Sequence, residues 1–146
     1  MAGKEKIQEG DVLVRKAIEA DLPLVLTDWR KDYYEHALGF SKGMSETTFN
    51  HFHSILIKSI LARSALLVAC DPDEPSVVFG WICWEPGVLH FVMVKRKFRK
   101  CGIGSALLAA TDLGTEFYFS HLTHLGNDVR FNSLNYKKTQ YCPYAM

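Results

Sequence analysis

Several features that would classify this chain at once are missing. None of its four cysteines, Cys70, Cys83, Cys101 and Cys142, forms a CxxC pair, so neither a zinc ribbon nor a thioredoxin-like motif is supported. The longest apolar runs, such as residues 65–70, fall far short of the roughly 20 residues that span a bilayer. The first six residues, Met-Ala-Gly-Lys-Glu-Lys, hold no apolar stretch and do not read as a secretory signal. No internal repeat or low-complexity tract is visible. Charge of one sign is also lacking: 17 basic and 16 acidic residues leave +1, so nothing chain-wide points to nucleic acid or to an anionic membrane. There is no GxxxxGK[ST] phosphate loop. Gly102-Ile-Gly104 lacks the third glycine or alanine of the dinucleotide fingerprint.

What is present suits one domain. The 146 residues, 48% hydrophobic and 23% charged, are enough for a substantial core without disulfide staples. The cysteines therefore read as reduced thiols in a cytoplasmic protein. Residues 1–10 read as a flexible N-terminus and 11–146 as a single domain. Val12, Leu13 and Val14 suggest a first strand. Residues 20–34 suit a helix that Asp21 would cap, with Pro23 in its first turn. Ser45 and Glu46 start a second helix that runs to about residue 63, with an apolar stripe from Phe49 to Leu61. His51 and His53, two apart, point to different sides of it. Three nearly continuous apolar strands follow at 65–70, 77–85 and 88–94, a pattern that suits strands covered on both faces. A basic loop at 95–101 leads into a helix at about 102–113, which Gly114 would end. A strand over 116–123 and a weak helix over about 128–138 complete the order. The predicted fold is α/β (α+β), with a mixed, mostly antiparallel central sheet flanked by helices.

The chemistry concentrates in the segment Val94-Lys-Arg-Lys-Phe-Arg99-Lys-Cys-Gly102-Ile-Gly104-Ser105. It joins an apolar strand to an amphipathic helix. The first N–H groups of that helix have no intrahelical partner, and the helix dipole is positive there. Glycine at 102 and 104 leaves no Cβ in the way of an anion. Arg99 and Lys100 add charge and Ser105 adds a hydroxyl. Five cations over 95–100 also suit nucleic acid, but chain-wide neutrality favours a small phosphorylated ligand.

The pattern Arg99-x-x-Gly102-x-Gly104 after a strand ending at Val94 resembles motif A of the GNAT superfamily of N-acetyltransferases, and the order of elements agrees over about residues 11–141. The resemblance implies that acetyl-CoA is the co-substrate and an amine the acceptor. It implies that Arg99, Lys100, Cys101, Gly102, Ile103, Gly104 and Ser105 hold the pyrophosphate. Met93 and Val94 would then meet the pantetheine arm. Tyr136-Lys-Lys138-Thr-Gln140-Tyr141 is similar to the family's Y-x-K-x-G-F, with Gln140 in place of glycine. It makes Tyr136 the expected acid toward the leaving thiolate. Little chain follows, so part of the acceptor site is expected to be absent, rebuilt or supplied by a partner chain. A homodimer would cover the sheet edge this leaves.

His90 is the candidate base, because imidazole titrates in the useful range; the competing reading makes it a buried sheet residue. Glu85 is a second candidate and equally a strand end. Trp29, Tyr33, Tyr34, Glu35 and His36 form an aromatic and acidic cluster suited to a cationic amine, or to helix packing with a solvated edge. Cys101, in the cradle itself, allows a covalent acyl-cysteine route, with direct transfer preferred. His121 and His124 lack a third ligand at useful spacing, so no metal is expected. The leading function is an N-acetyltransferase. The alternative is a catalytically weak protein of the same fold that binds a macromolecular partner.

Overall fold

A computed structural model describes residues 11–37, 43–121 and 139–146. Six strands form one sheet in the spatial order β1 to β6: Leu13–Lys16, Ala65–Cys70, Val78–Glu85, Val88–Val94, Tyr118–Phe119 and Gln140–Tyr141. β1 through β4 pair antiparallel, and β4–β5 and β5–β6 pair parallel. The mixed, mostly antiparallel sheet expected from the sequence is therefore present. The helices are α1 (Leu22–His36), α2 (Glu46–Arg63) and α3 (Ile103–Ala109).

The sheet carries a core on each face. On one side α1 and α2 bury Val25, Trp29, Tyr33, Phe49, Ile57 and Ile60 against Val68, Trp81 and Phe91. Trp29 lies 5.5 Å from Trp81 and 5.4 Å from Phe91, ring centre to ring centre, within the range of favourable aromatic pairs. On the other side α3 buries Ile103 and Leu107 against Phe79, Ile82 and Leu89. All of β3 but its last residue is buried, as the unbroken apolar run 77–85 predicts for a strand covered on both faces. Gly80 is needed where β3 meets β4: a Cβ there would lie 2.6 Å from the Met93 carbonyl oxygen. Gly80→Ala is expected to lower stability by about 1–3 kcal/mol, the usual cost of overpacking, measured by urea denaturation.

Some local expectations shift. Asp21 does not cap α1 with its side chain. Its carboxylate accepts from the Ile18 N–H at 2.8 Å and pairs with Arg15 at 2.8 Å, so it closes the short 3₁₀ turn Glu19–Asp21 that precedes the helix. Ser45 does cap α2, accepting from the Thr48 N–H at 3.1 Å. His51 is exposed and His53 buried on that helix, as their spacing required. α3 ends at Ala109, short of residue 113, because the Thr111 hydroxyl takes the Leu108 carbonyl at 2.7 Å and competes with the next helical turn. Gly114 is left-handed, at φ 66°, and lies beyond the helix end. Of the strand expected over 116–123, the described residues pair at Tyr118–Phe119, and residues 122–123 fall outside them. The helix expected over 128–138 falls outside the described residues.

Candidate active site

The basic loop turns on two left-handed residues. After β4 the chain makes a 3₁₀ turn, Arg96–Phe98, pinned by Phe98 packing 4.5 Å from the Phe79 ring. Lys100 then has φ 63° and Gly102 φ 82°. A left-handed conformation is natural for glycine but costs a lysine about 1 kcal/mol. Strain of this kind points to a geometry held for a purpose. It aims the start of α3 outward. The first helical bond runs from the Ala106 N–H to the Gly102 carbonyl, leaving the N–H groups of Ile103, Gly104 and Ser105 without helical partners. Among the described residues no side chain caps them. A Cβ at Gly102 would meet nothing within 4 Å, and one at Gly104 only Val94 Cγ2 at 3.8 Å. The donors line an open cradle.

Arg99 has a different task from the other cations. Its Nε–H donates to the Val94 carbonyl at 2.8 Å, and Nη2 lies 3.6 Å from Asp32. Arg99 thus ties the loop to the end of β4 and to α1. Lys97 lies over the Phe98 ring. Arg96, Lys97 and Lys100 are exposed.

β4 and β5 part beside this loop. Among the described residues they pair at Val88–Tyr118 and Leu89–Phe119, and the Ser120 N–H to the Leu89 carbonyl (3.1 Å) is the last bond between them. On the β3 side the register skips His90, which is the extra residue of a β-bulge: Cys83 faces Phe91 and Trp84 faces Leu89. Bulges bend the strand and deepen its twist, which accounts for the fork. Beyond it, antiparallel alternation turns the backbone of Val92 and Val94 away from β3, toward the fork.

A buried polar chain crosses the apex of the fork. Arg63 Nε lies 3.0 Å from a Glu85 oxygen, which lies 2.6 Å from His90 Nε2. His90 Nδ1 is 2.8 Å from the Ser120 hydroxyl. That hydroxyl is 2.8 Å from His121 Nδ1, and His121 Nε2 is 3.0 Å from His53 Nε2. His90, Ser120, His121 and His53 are all buried, whereas the Glu85 side chain is 23% exposed. Burial pushes all three histidines below their usual pKa, His53 to about 4; for His90 the Glu85 carboxylate opposes burial. At Glu85 burial acts upward, but hydrogen bonds from His90 and Arg63 outweigh it and hold the carboxyl below its usual range.

On the outer flank of α1 a cleft of about 340 Å³ carries Asp28, Lys31, Asp32, Glu35 and His36 opposite Met93, Arg96 and Arg99. Burial raises the pKa of Asp28, opposed by the Trp81 indole N–H, and that of Asp32, opposed by His36 and Arg99.

The structure thus brings Met93, Val94 and residues 99–105 into one unit, with His90 four residues up the same strand. Tyr136 lies outside the described residues. Of the aromatic and acidic cluster expected on α1, Trp29 and Tyr33 are core residues, Tyr34 donates to the Met44 carbonyl at 2.9 Å, and Glu35 and His36 line the cleft. Sequence reasoning missed Asp28 and Asp32, although their i, i+4, i+7 spacing with Glu35 marks a single helix face. It also missed Ser120, whose only signal is its place beside His121.

No family model and no curated protein matches the sequence. Solved structures do. A provisionally assigned acetyl transferase from Pyrococcus furiosus superposes with a TM-score of 0.55 at 22% identity, over 68% of this chain and 70% of that one. A GCN5-related N-acetyltransferase from Kribbella flavida gives 0.47 at 20% identity, over 70% of this chain and 63% of that one. A phosphinothricin acetyltransferase of Sinorhizobium meliloti gives 0.47 at 20%, over 68% and 56%. This chain thus covers less than two thirds of the length of the last two. The fold is that of the GNAT acetyltransferases, the fold that the resemblance around Gly102 implied.

Proposed function

We propose that the chain is an acyl-coenzyme A-dependent N-acetyltransferase acting on a primary amine. The observation that carries this is the juxtaposition of two features at one end of β4: a glycine-opened row of N–H donors at Ile103–Ser105, and a strand edge at Val92–Val94 that no other strand pairs among the described residues. The donor row suits a pyrophosphate, with Lys100 adding charge. The free edge suits an extended amide-bearing arm that pairs as a strand does. Val92 offers its backbone groups, Val94 its N–H, since its carbonyl already accepts from Arg99, and Met93 its side chain. Acetyl-CoA has both parts in the right order, and its thioester would reach the fork. The cleft beside Met93 mixes the carboxylates of Asp28, Asp32 and Glu35 with the cations Lys31, Arg96 and Arg99, a lining that suits a polar acceptor, which the family resemblance alone does not specify. Four free cysteines fit a reducing, cytoplasmic setting.

The test is a thermal melt with saturating acetyl-CoA, followed by thiol release with a panel of polar and apolar amines. A clear rise in Tm and steady release with polar amines are expected. No rise with either acetyl-CoA or free coenzyme A overturns the proposal.

A further inference from the structure

The charges in the cleft beside α1 are loosely matched. The Asp32 side chain is only 13% exposed, yet its nearest cations, Arg99 Nη2 and His36 Nε2, stand at 3.6 and 3.7 Å, beyond the length of a hydrogen bond. Both approach the same oxygen, Oδ1. A carboxylate withdrawn from water costs free energy until donors reach it. Asp28 lies one helical turn earlier and accepts a single long bond, from the Trp81 indole at 3.4 Å. Together the two carboxylates form a seat with room for N–H donors. Across the cleft Arg96 is exposed, and among the described residues its guanidinium has neither ion pair nor hydrogen bond. Arg99 differs, because its Nε–H is committed to the Val94 carbonyl.

The cleft also meets β4 from the open side. The side chains of Val92 and Val94 pack into the core that α3 covers, and that of Met93 into the core that α1 covers. A pantetheine arm paired along the Val92–Val94 edge therefore has Ile103 and Leu107 on one side. On the other side it has Met93, which lines the cleft. An acceptor seated there lies one residue away from the arm. At about 340 Å³ the cleft falls at the small end of the range for small-molecule sites.

We infer that the acceptor is a free amino acid or a zwitterion of the same kind, its amino group seated at Asp28 and Asp32 and its carboxylate at Arg96. This rests on the acetyltransferase reading and names its substrate class. A polycation would meet Arg96 and Lys31 as well as the carboxylates, and an amine with no anionic group would leave Arg96 unmatched. A zwitterion satisfies both walls. Burial and neighbouring carboxylates act to raise the Asp32 pKa, and an ammonium beside it would act the other way. In the transfer the ammonium first gives one proton to water. The amine nitrogen then attacks the thioester carbonyl carbon; the C–N bond forms and the C–S bond breaks. Nitrogen loses a second proton and the departing sulfur gains one. The product amide is neutral at nitrogen, so it no longer fits the seat at Asp28 and Asp32, and this favours its release.

The test measures thiol release by wild type, Arg96→Gln and Asp32→Asn with free amino acids, their carboxamides and the matching monoamines, beside the Tm shift that acetyl-CoA gives each protein. Wild type is expected to use the preferred amino acid with a kcat/KM about tenfold or more above that of its carboxamide, the scale of one charge-assisted contact. Arg96→Gln is expected to lose about tenfold with the amino acid and to bring the acid-to-amide ratio near one. It should keep the acetyl-CoA shift. Asp32→Asn is expected to lose about tenfold with acid and amide alike, since both carry the ammonium. Arg96 is exposed, so its replacement decides the question if Asp32→Asn disturbs Arg99. Equal use of acid and amide by wild type, or thiol release with none of the amino acids, overturns the zwitterion while a retained acetyl-CoA shift leaves the coenzyme site standing. An Arg96→Gln protein that still discriminates, or that loses the acetyl-CoA shift, overturns the seat assigned to the carboxylate. A wild type that acetyl-CoA does not stabilise removes the acetyltransferase reading itself.

Discussion

Gly104→Trp is expected to abolish stabilisation by acetyl-CoA while leaving the unliganded protein folded. Position 104 is the second residue of α3, and a Cβ there meets only Val94 Cγ2 at 3.8 Å, an ordinary contact. The backbone has no objection to a side chain, since φ is positive at Gly102 and not at Gly104. The obstruction lies outside the chain. An indole there extends over the Ile103, Gly104 and Ser105 N–H groups, which no side chain caps among the described residues. For a ligand at 100 times its Kd the stabilisation is about 2.7 kcal/mol. In a domain of this size that is roughly 5–10 °C of Tm, and all of it should vanish. Gly104→Ala is the control, with most of the shift retained and a small gain in unliganded stability from the better helix former. A Gly104→Trp protein that still shifts by the wild-type amount would place the coenzyme elsewhere.

Acid is expected to destabilise the fold well above the range in which carboxylates titrate. Three histidines are buried, and each has a folded-state pKa below its unfolded value of about 6.5. Above pH 6.5 both states hold them neutral and no penalty exists. As pH falls below 6.5 the unfolded chain takes up protons that the folded chain refuses, and stability is lost until the folded pKa is reached. For His53, at about 4, the loss is about 2.5 kcal/mol at pH 4.5. His121 and His90 add to it. Asp28 and Asp32 act the other way: their pKa values are raised in the fold, so acid relieves a small penalty there. Asp21 and Glu85, both lowered, add losses only below about pH 4.5. Urea midpoints measured from pH 7.5 to 4.5 should fall steadily. His53→Phe, which keeps the ring stack with Tyr33 and Phe49, should remove about one proton from the slope. A flat profile over that range would mean the histidines stay accessible to protonation in the fold.

How much of this was readable beforehand depended on the range of the signal. The cradle is local: Arg99, Gly102 and Gly104 lie within six residues, and glycine's lack of a Cβ acts on its own backbone. The strands at 65–70, 77–85 and 88–94 announced themselves by unbroken apolar runs, and Ser45 by its position before a helix. The polar chain was not legible in this way. His53 and His121 are 68 residues apart, and nothing in either neighbourhood requires the other. His90 was singled out for the range in which imidazole titrates, but its surroundings depend on a bulge that only the register with β3 reveals. The length of α3 was misjudged because the apolar pattern continues to Leu113, while the Thr111 hydroxyl breaks the ladder first.

The bulge at His90 also divides the sheet mechanically. On one side is a broad plate, β1 to β3 with the far half of β4, held by long antiparallel ladders. On the other, among the described residues, is a narrow flap of two two-residue strands. The fork is the seam between plate and flap, and anything seated there acts as a shim that sets their angle. Occupancy at one end of β4 would then be felt by Tyr118, Phe119, Gln140 and Tyr141 through the tilt of the flap.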